Sequence, residues 1–544
     1  MSLESMLLGG KYSGLTSFFS FAYLAVFLPL SVIGFAISPK KIRKYFLLLA
    51  SWGFVWLISG KLIVYLLLTI VSLFLFGKWL ERIQAQRDVA VKEVERPQRK
   101  EIKQRFLKKS RKVLALAVVL HIGLLLVLKY TPFFATNVNS VLSALNIGIE
   151  VAIPKFVMPI GISFFTMQAV SYLVDVYHGV IKAETDIAKL ALWMSFFPQI
   201  VEGPICRYKQ TAESLWNVEQ IKFDNLTLGL QRILYGIMKK IVVADRLNPM
   251  VKEIFGNYSE YEGGIVALAA IAYTIQLYMD FSGSMDAVVG TAQIFGIEMP
   301  ENFKRPFFSR SISDFWARWH ITLGAWFKDY IFYPVSMSKP MKKLTSNARK
   351  KIGNHYGPLL AGSVALFCVW LSNGLWHGSA WSYIFFGMYH FALILCGNLM
   401  SQPIKFIQEK LHINPENPIY KGFQILRTTV LVVIGELFFR AHGLRSGLAM
   451  FKNMVTDFRF DSLNNELLDK MGMDTKDFIV VGIAVLIIFV VSLLNEKGIN
   501  VREKLKTKNI ALRWCVWYAL ILFIIIFGAY GYGYVPLDPI YADF

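Results

Sequence analysis

Charge is scarce in this sequence. Asp, Glu, Lys and Arg make up 17% of its 544 residues, whereas soluble domains carry about a quarter. Apolar residues make up 55% and recur in runs of about 17 residues or more, each long enough to cross a bilayer as a helix. The runs do not alternate between polar and apolar residues, which argues against a membrane β-barrel. The sequence therefore predicts an all-α polytopic membrane protein.

Several signatures of catalysis and binding are missing. There is no Gly-x-Ser-x-Gly elbow, no Walker A loop and no His-Glu-x-x-His zinc motif. The four cysteines include no Cys-x-x-Cys pair, so we expect neither a metal site nor a disulfide framework. We find no internal repeat, although many secondary transporters contain one. If the protein is an enzyme, the remaining residues favour a general base without a covalent enzyme intermediate.

Basic residues outnumber acidic ones by 58 to 37. They concentrate beside apolar runs, as the positive-inside rule predicts for cytoplasmic loops, so we expect no nucleic-acid partner. Residues 81–112 hold twelve Lys or Arg against five Asp or Glu and are predicted to form a cytoplasmic helical loop, with binding of anionic lipid or an anionic cofactor left open. Residues 339–351 and 497–508 are two further predicted cytoplasmic loops. This topology places the N-terminus and the tail, 531–544, outside.

Two segments do not fit a simple membrane span. Residues 150–178 combine prolines with apolar and polar residues, which predicts a broken or interfacial helix. Residues 196–205 contain a Pro-x-x-x-Glu-Gly-Pro motif that cannot stay helical and are predicted to pack inside the protein or line a cavity. The predicted spans and hairpin arms are 15–38, 45–59, 62–80, 113–130, 263–281, 357–376, 380–400, 424–440, 479–494 and 511–530.

Two histidines, His320 and His377, each follow a tryptophan beside strongly apolar sequence. An ionisable side chain at membrane depth is costly and suggests a functional site. Histidine suits proton transfer near neutral pH and can deprotonate a nucleophile as it attacks an acyl carbon. A buried histidine that only packs is the other interpretation, and these residues alone leave both open.

The surroundings of His377 favour a role in chemistry. Asn373 lies one helical turn earlier and could orient the imidazole. Gly374 would permit close backbone approach by a ligand. Trp376 could wall a dry pocket, although an aromatic belt or a packed core explains it equally well. Asp280, next to apolar sequence, is expected to be paired or hydrogen-bonded and could be functional or structural.

Ordered motifs between residues 195 and 441 resemble a known family. They are Phe197-Pro198-Gln199 with Glu202-Gly203-Pro204, Met279-Asp280-Phe281-Ser282-Gly283 with Asp286, Asn302-Phe303, Ser313-Asp314-Phe315-Trp316 with Arg318-Trp319-His320, Gly374-Leu375-Trp376-His377-Gly378, and Phe438-Phe439-Arg440-Ala441. Together they are similar to the membrane-bound O-acyltransferases of the bacterial alginate O-acetylation type. Where relatives often have Gly-Tyr-Ser-Asp, this chain has Gly283-Ser284-Met285-Asp286, so no role is assigned there.

The resemblance implies a ring of transmembrane helices around a thin centre, crossed by a tunnel. His377 would be the general base and His320 its partner. No bound cofactor is implied, because acetyl-CoA or a carrier-bound acyl thioester would be the donor substrate and would arrive from the cytoplasm. The implied domains are 1–150, 151–441 as the catalytic core, and 442–544. Further candidates for substrate contact or the tunnel wall are Asn373, Trp376, Asp280, Glu202, Trp319 and Arg318.

The leading functional hypothesis is transfer of an acyl group, most simply acetyl, across the bacterial plasma (inner) membrane for O-acetylation of an exported polysaccharide. An extracytoplasmic acyltransferase-like protein is the expected partner, besides the lipid bilayer. D-alanyl transfer to teichoic acid is the alternative enzyme activity; that branch is usually shorter, so the C-terminal spans and residues 441–478 favour the polysaccharide branch. A transporter or channel is the alternative from another class, but transport does not need the Trp-His pairs.

Overall fold

The computed structural model describes residues 17–530, which fold into helices joined by short connections. Within this range the β-structure is one isolated bridge, so the all-α prediction is confirmed. Predictions for the first residues of the run 15–38 and for the tail 531–544 lie outside the described range. In chain order the helices are α1 Ala22–Ile37, α2 Arg43–Ser59, α3 Ile63–Lys92, α4 Arg99–Ala144, α5 Ile162–His178, α6 Ile187–Ser195, α7 Tyr208–Trp216, α8 Phe223–Ile237, α9 Asp245–Gly256, α10 Gly263–Ile294, α11 Ile312–Arg318, α12 Ile321–Phe327, α13 Tyr333–Ser336, α14 Lys339–His377, α15 Trp381–Leu399, α16 Ser401–Lys410, α17 Pro418–Arg440, α18 Leu444–Thr456, α19 Asn465–Lys470, α20 Thr475–Glu496, α21 Val501–Lys506 and α22 Ile510–Phe527.

Eight helical segments in the described range are long and apolar enough to cross a membrane. One of them contains both α2 and α3, which meet at Gly60 as the predicted hairpin does. Helix α1 is apolar but shorter than these eight. The multi-pass membrane class is thus confirmed. The eight segments are Arg43–Lys92, Arg99–Ala144, Gly263–Ile294, Lys339–His377, Trp381–Leu399, Pro418–Arg440, Thr475–Glu496 and Ile510–Phe527.

The chain divides into two compact units. Within the described range the first comprises residues 17–230 and 288–300 and has an aromatic core. The ring of Phe197 lies 5.1 Å from Phe27 and 5.9 Å from Phe54, and the Tyr23 hydroxyl lies 3.2 Å from that of Thr291. The three-part division predicted from the sequence stays a prediction, because a compact unit need not be a functional domain.

The Pro-Glu-Gly-Pro segment of the first unit is irregular and fully buried, as predicted: every residue in 196–206 is buried. Two of its polar groups are hydrogen-bonded within the protein. Gln199 Nε2 donates to the Trp193 carbonyl at 2.7 Å, and the Phe197 amide donates to Ser51 Oγ at 3.1 Å. This is how irregular backbone is tolerated at membrane depth.

The predicted break in residues 150–178 is also confirmed, since regular helix begins only at Ile162. Gly161 precedes it with φ of 80°, a left-handed conformation that glycine adopts without steric cost. A Cβ there would lie 2.0 Å from the Ile200 carbonyl oxygen. The break therefore depends on glycine for both its conformation and its packing.

The described part of the second unit comprises residues 231–287 and 301–530. Its structure corrects two predictions. The basic stretch 339–351 was predicted to be a loop but is helical, because its Lys, Arg and Ala residues favour helix and Pro340 occupies the first turn, where proline is tolerated. The helix breaks only at Gly353, with φ of 82°. Helix α10 was predicted to end near residue 281 but continues to Ile294. Gly283 is not a terminator there; a Cβ would lie 2.9 Å from the Gly236 carbonyl oxygen, so it permits close helix packing.

Candidate active site

A tight turn in the second unit positions His320. Phe303 and Trp319 form an antiparallel bridge, next to which the Lys304 amide donates to the Arg318 carbonyl at 2.9 Å. His320 follows with φ of 47° and ψ of 50° and directly precedes α12. A residue other than glycine held in this left-handed region costs roughly 1–3 kcal/mol and persists only when its surroundings impose it. The bridge supplies that constraint.

Asn302 contacts four polar atoms of the turn that contains His320. Its carbonyl accepts from the Ile321 amide at 3.0 Å. Its side-chain Oδ1 accepts from the Thr322 amide at 3.1 Å and the Thr322 hydroxyl at 2.9 Å, and it lies 3.1 Å from His320 Nδ1. Its Nδ2 donates to Met285 Sδ at 3.3 Å. Asn302 is 1% exposed, so this network lies inside the protein.

These contacts determine the tautomer of His320. A backbone N–H can only donate, so the Asn302 atom that faces the Thr322 amide is the acceptor oxygen. His320 Nδ1 must then carry the hydrogen that it shares with this oxygen. In the neutral ring, Nε2 is therefore the basic nitrogen.

Burial keeps the imidazole of His320 neutral. Its side chain is 2% exposed, and the ring of Phe281 lies edge-on at 4.8 Å. Desolvation lowers the pKa of His320 to about 3, because removal from water penalises the charged form. The ring is consequently neutral throughout the range in which an enzyme of this kind would be assayed.

His377 is the last residue of α14 and is enclosed by aromatic rings. It is 5% exposed, and its ring centroid lies 5.1 Å from Phe439 and 6.0 Å from Phe386. Trp376 lies 5.0 Å from His377 and 5.8 Å from His320. One indole thus contacts both imidazoles, and the structure brings together the two histidines singled out in the sequence.

Helices α14 and α15 meet closely just before His377. A Cβ on Gly374 would lie 2.5 Å from the Tyr383 carbonyl oxygen, and one on Gly387 would lie 2.3 Å from the Trp370 carbonyl oxygen. Close approach was predicted at Gly374, and the backbone of α15 makes such an approach there. Approach by a ligand stays a prediction. Gly374 and Gly387 therefore determine how closely α14 and α15 approach each other beside His377.

Replacement of Gly374 by alanine should therefore destabilise the helix pair. Overpacking costs about 1–3 kcal/mol, because the contact is with backbone that cannot rotate away. The midpoint of thermal unfolding in detergent measures the effect. Gly362→Ala is the matched control on the same helix, since a Cβ there meets nothing within 4 Å. Equal unfolding midpoints for the two variants would show that Gly374 is not packed tightly against the backbone of α15.

The remaining candidates near the His320 turn make structural contacts. Trp319 packs on Phe303 with ring centroids 5.0 Å apart. Arg318 forms ion pairs of 2.9 Å with both Asp314 and Glu496. Asn302, which sequence reasoning did not single out as a site residue, has the more direct contact with His320. The available signal was a polar residue inside one of the motifs that carry the family resemblance.

Asp280 is paired, as predicted: its carboxylate lies 2.8 Å from Lys240 Nζ, which also contacts Asp245 at 3.1 Å. Asn373 is buried on α14, but its Oδ1 accepts no hydrogen bond from residues 17–530. Its proposed action on His377 stays a prediction. Glu202 is 1% exposed and belongs to the first unit.

A polar cavity of about 160 Å³ lies beside the Asn302 loop. We call it the cationic vestibule; its ionisable side chains are Arg232, Lys239, Lys304, Arg305, Asp286 and Glu301. Arg232 holds Glu301 through two hydrogen bonds of 2.7 and 2.6 Å. Burial opposes the charge on Arg232, but Asp286 and Glu301 raise its pKa, so it stays charged. Met285 and Phe303 complete the wall, so the cavity shares residues with the support of His320.

Comparison with known proteins identifies the class. The sequence model of the family described as "MBOAT, membrane-bound O-acyltransferase family" matches residues 162–348, a range that includes His320. Two features, the helical membrane fold and the buried histidine pair, agree with this match. Residues 162–348 therefore form a membrane-bound O-acyltransferase domain, and the protein is an O-acyltransferase.

Three known proteins are similar to long parts of this chain. It is 28% identical over 472 residues to the probable alginate O-acetylase AlgI of Azotobacter vinelandii, covering 86% of this chain and 84% of that protein. It is 28% identical to the peptidoglycan O-acetyltransferase of Helicobacter pylori over 67% of this chain and 68% of the other. It is 31% identical to the teichoic acid D-alanyltransferase of Bacillus subtilis over 45% of this chain and 60% of the other.

Proposed function

We propose that the protein transfers an acetyl group from a cytoplasmic thioester across the membrane for O-acetylation of an exported cell-surface polysaccharide. The observation that carries the proposal is the arrangement of His320 and His377 around Trp376, inside a buried aromatic enclosure. The likeness to an alginate O-acetylase over most of both chains supports the choice of acetyl and polysaccharide.

His377 acts as the general base. It takes the proton of the acceptor hydroxyl while that oxygen attacks the carbonyl carbon of the thioester. The C–S bond then breaks, and the thiolate receives the proton from the imidazolium. The surrounding rings of Trp376, Phe386 and Phe439 exclude water, which would otherwise compete with the acceptor for the acyl group.

His320 serves as a neutral hydrogen-bonding partner and not as a second base. A general base works best with a pKa near the working pH, whereas burial lowers the pKa of His320 to about 3. Its fixed tautomer presents Nε2 as an acceptor, so it can receive a hydrogen bond from a hydroxyl group of the substrate. Asn302 is then the positioning residue that holds this orientation.

The donor is acetyl-CoA or an acyl group on a carrier protein, and we assign its anionic part to the cationic vestibule. Four cations and two carboxylates line this cavity, which favours phosphate groups. Trp319, Arg318 and Asp280 contribute to the frame of the tunnel, and Asn373 and Trp376 line it near His377. Glu202 stays a separate candidate for substrate contact.

The protein resides in the bacterial plasma (inner) membrane, with the N-terminus and the tail 531–544 outside. The basic stretches 81–112, 339–351 and 497–508 support this orientation, because Lys and Arg favour the cytoplasmic side. An extracytoplasmic acyltransferase-like protein completes the pathway, since residues 441–478 form an extension on the side where the polymer is exported.

D-alanyl transfer to teichoic acid is the second candidate. The D-alanyltransferase of Bacillus subtilis is 31% identical, but the likeness covers only 45% of this chain. The alginate O-acetylase of Azotobacter vinelandii is similar over 86%. The greater length of that likeness favours O-acetylation.

Analysis of cell-surface esters separates the two candidates. Deletion of the gene in the producing cells should reduce base-labile acetate on the extracted polysaccharide to background, and restoration of the full chain should recover it. D-alanine esters, measured in the same extracts, should not change. Loss of D-alanine esters with unchanged acetate would replace the first candidate by the second, and loss of neither would contradict both.

A further inference from the structure

A large apolar cavity lies between the C-terminal helices of the second unit. Its volume is about 630 Å³, within the range of roughly 300–1,000 Å³ of small-molecule sites. Helices α20 and α22, both long enough to span a membrane, provide most of the apolar lining, which includes Ile487, Val491, Trp517, Leu520 and Phe523. Of the 18-residue apolar segment of α22, only 6% is buried inside the protein. The cavity therefore borders a helix whose surface is available to lipid.

Polar groups collect at one end of this cavity. Asn495 is near the C-terminal end of α20, and Asn500 and Arg502 follow it at the start of α21. The lining residues of α22 lie about two to four turns along that helix, at 516–523, and are apolar. The cavity thus has a polar end and an apolar body, the pattern of a lipid headgroup followed by acyl chains.

The polar end carries positive charge. Arg232 and Arg502 line it beside one carboxylate, Asp286, which is paired with Arg232, and the stretch 497–508 that includes Arg502 holds five Lys or Arg against one Glu. Burial lowers the pKa of Arg502, and the charge of Arg232 lowers it further. An anion at this end would reduce the repulsion between the two guanidinium groups. Because arginine forms paired hydrogen bonds with phosphate, phosphate suits the position.

We propose that this cavity is a binding site for an anionic glycerophospholipid, whose phosphate contacts Arg502 and whose acyl chain lies between α20 and α22. The lipid fills the gap beside α22 and attaches this helix to the rest of the unit. The cavity adjoins the cationic vestibule, and both are lined by Arg232, Tyr235, Asp286, Val491 and Asn495. Arg502 and Leu520 line only the apolar cavity, whereas Lys304 and Arg305 line only the vestibule.

Lipid binding to the purified full-length protein tests this proposal. Native mass spectrometry of delipidated protein, titrated with phosphatidylglycerol or phosphatidylcholine, should show about tenfold tighter binding of the anionic lipid. Arg502→Gln should weaken phosphatidylglycerol binding about tenfold, the usual effect of losing a charge-assisted hydrogen bond. Leu520→Trp, which fills the cavity, should weaken binding of both lipids.

Three variants serve as controls. Lys504→Gln removes an exposed charge from the same helix, α21, Leu522→Trp enlarges a side chain that is 54% exposed on α22, and Lys304→Gln alters the vestibule. All three should bind phosphatidylglycerol as the parent does. Equal binding of the two lipids, parent-like binding by Arg502→Gln and Leu520→Trp, or displacement of phosphatidylglycerol by coenzyme A would each overturn the proposal. The last result would assign the cavity to the donor.

Discussion

His377→Ala is expected to abolish acyl transfer, with a fall in rate of about 10²–10⁴-fold, the usual contribution of a positioned general base. The alanine side chain cannot accept the proton of the attacking hydroxyl, and the neighbouring imidazole of His320 is a poor substitute base, because burial lowers its pKa to about 3. The measurement is transfer of label from radiolabelled acetyl-CoA to polysaccharide, in membranes that contain the full-length protein and its native partners.

Loss of activity must be separated from loss of folding. His377→Gln retains a polar side chain of similar size, so it should fold as the parent does but remain inactive. His355→Ala is the matched control, since His355 is an exposed histidine of the same helix, α14. It should retain full activity. Transfer by folded His377→Ala or His377→Gln at the rate of the parent would exclude His377 as the base.

Long apolar runs allowed the membrane helices to be predicted well. In hydrocarbon each backbone group must be hydrogen-bonded within its own segment, so composition and length are nearly sufficient. The predicted arms 45–59 and 62–80 correspond to Arg43–Ser59 and Ile63–Lys92. The predicted turn around His377 likewise separates α14 from α15.

Helix ends at charged residues and glycines were predicted less well, because these residues have more than one structural use. The stretch 339–351 was interpreted as a loop from its charge alone, but charge is compatible with an exposed helix. The span from residue 263 was predicted to end near residue 281, yet Gly283 lies inside the helix and allows close contact with Gly236. Whether such a residue ends a helix or lies within one depends on packing against residues that are distant in the sequence.

The contacts of the candidate site were the hardest to predict. His320 and Asn302 are separated by 18 residues, and no local pattern relates an asparagine before one bend to a histidine after it. The left-handed conformation of His320 could not be predicted from the sequence either, because the residue is not a glycine. Spacing along one helix instead suggested Asn373 as the orienting residue.

Asn302→Ala is expected to lower the rate of acyl transfer about 10²-fold while His377 remains in place. The substitution removes the oxygen that accepts from His320 Nδ1 and from both donors of Thr322. The imidazole of His320 is then free to rotate or to change tautomer, so Nε2 no longer faces the substrate as an acceptor. Losing a residue that orients a reacting group commonly has an effect of this size. Steady-state transfer rates measure it.

The pH profile of Asn302→Asp distinguishes positioning from simple packing. The aspartate keeps all three acceptor contacts, but its negative charge favours the imidazolium, so the pKa of His320 rises above its value of about 3 in the parent. Activity, which needs neutral His320, should then fall as the pH decreases through that higher pKa, while the parent shows no such acid limb from this group. Thr322→Val removes one hydroxyl donor to the same oxygen and should keep the pH profile of the parent. If folded Asn302→Asp shows no acid limb beyond those of the parent, His320 does not act as a neutral acceptor and its role is packing.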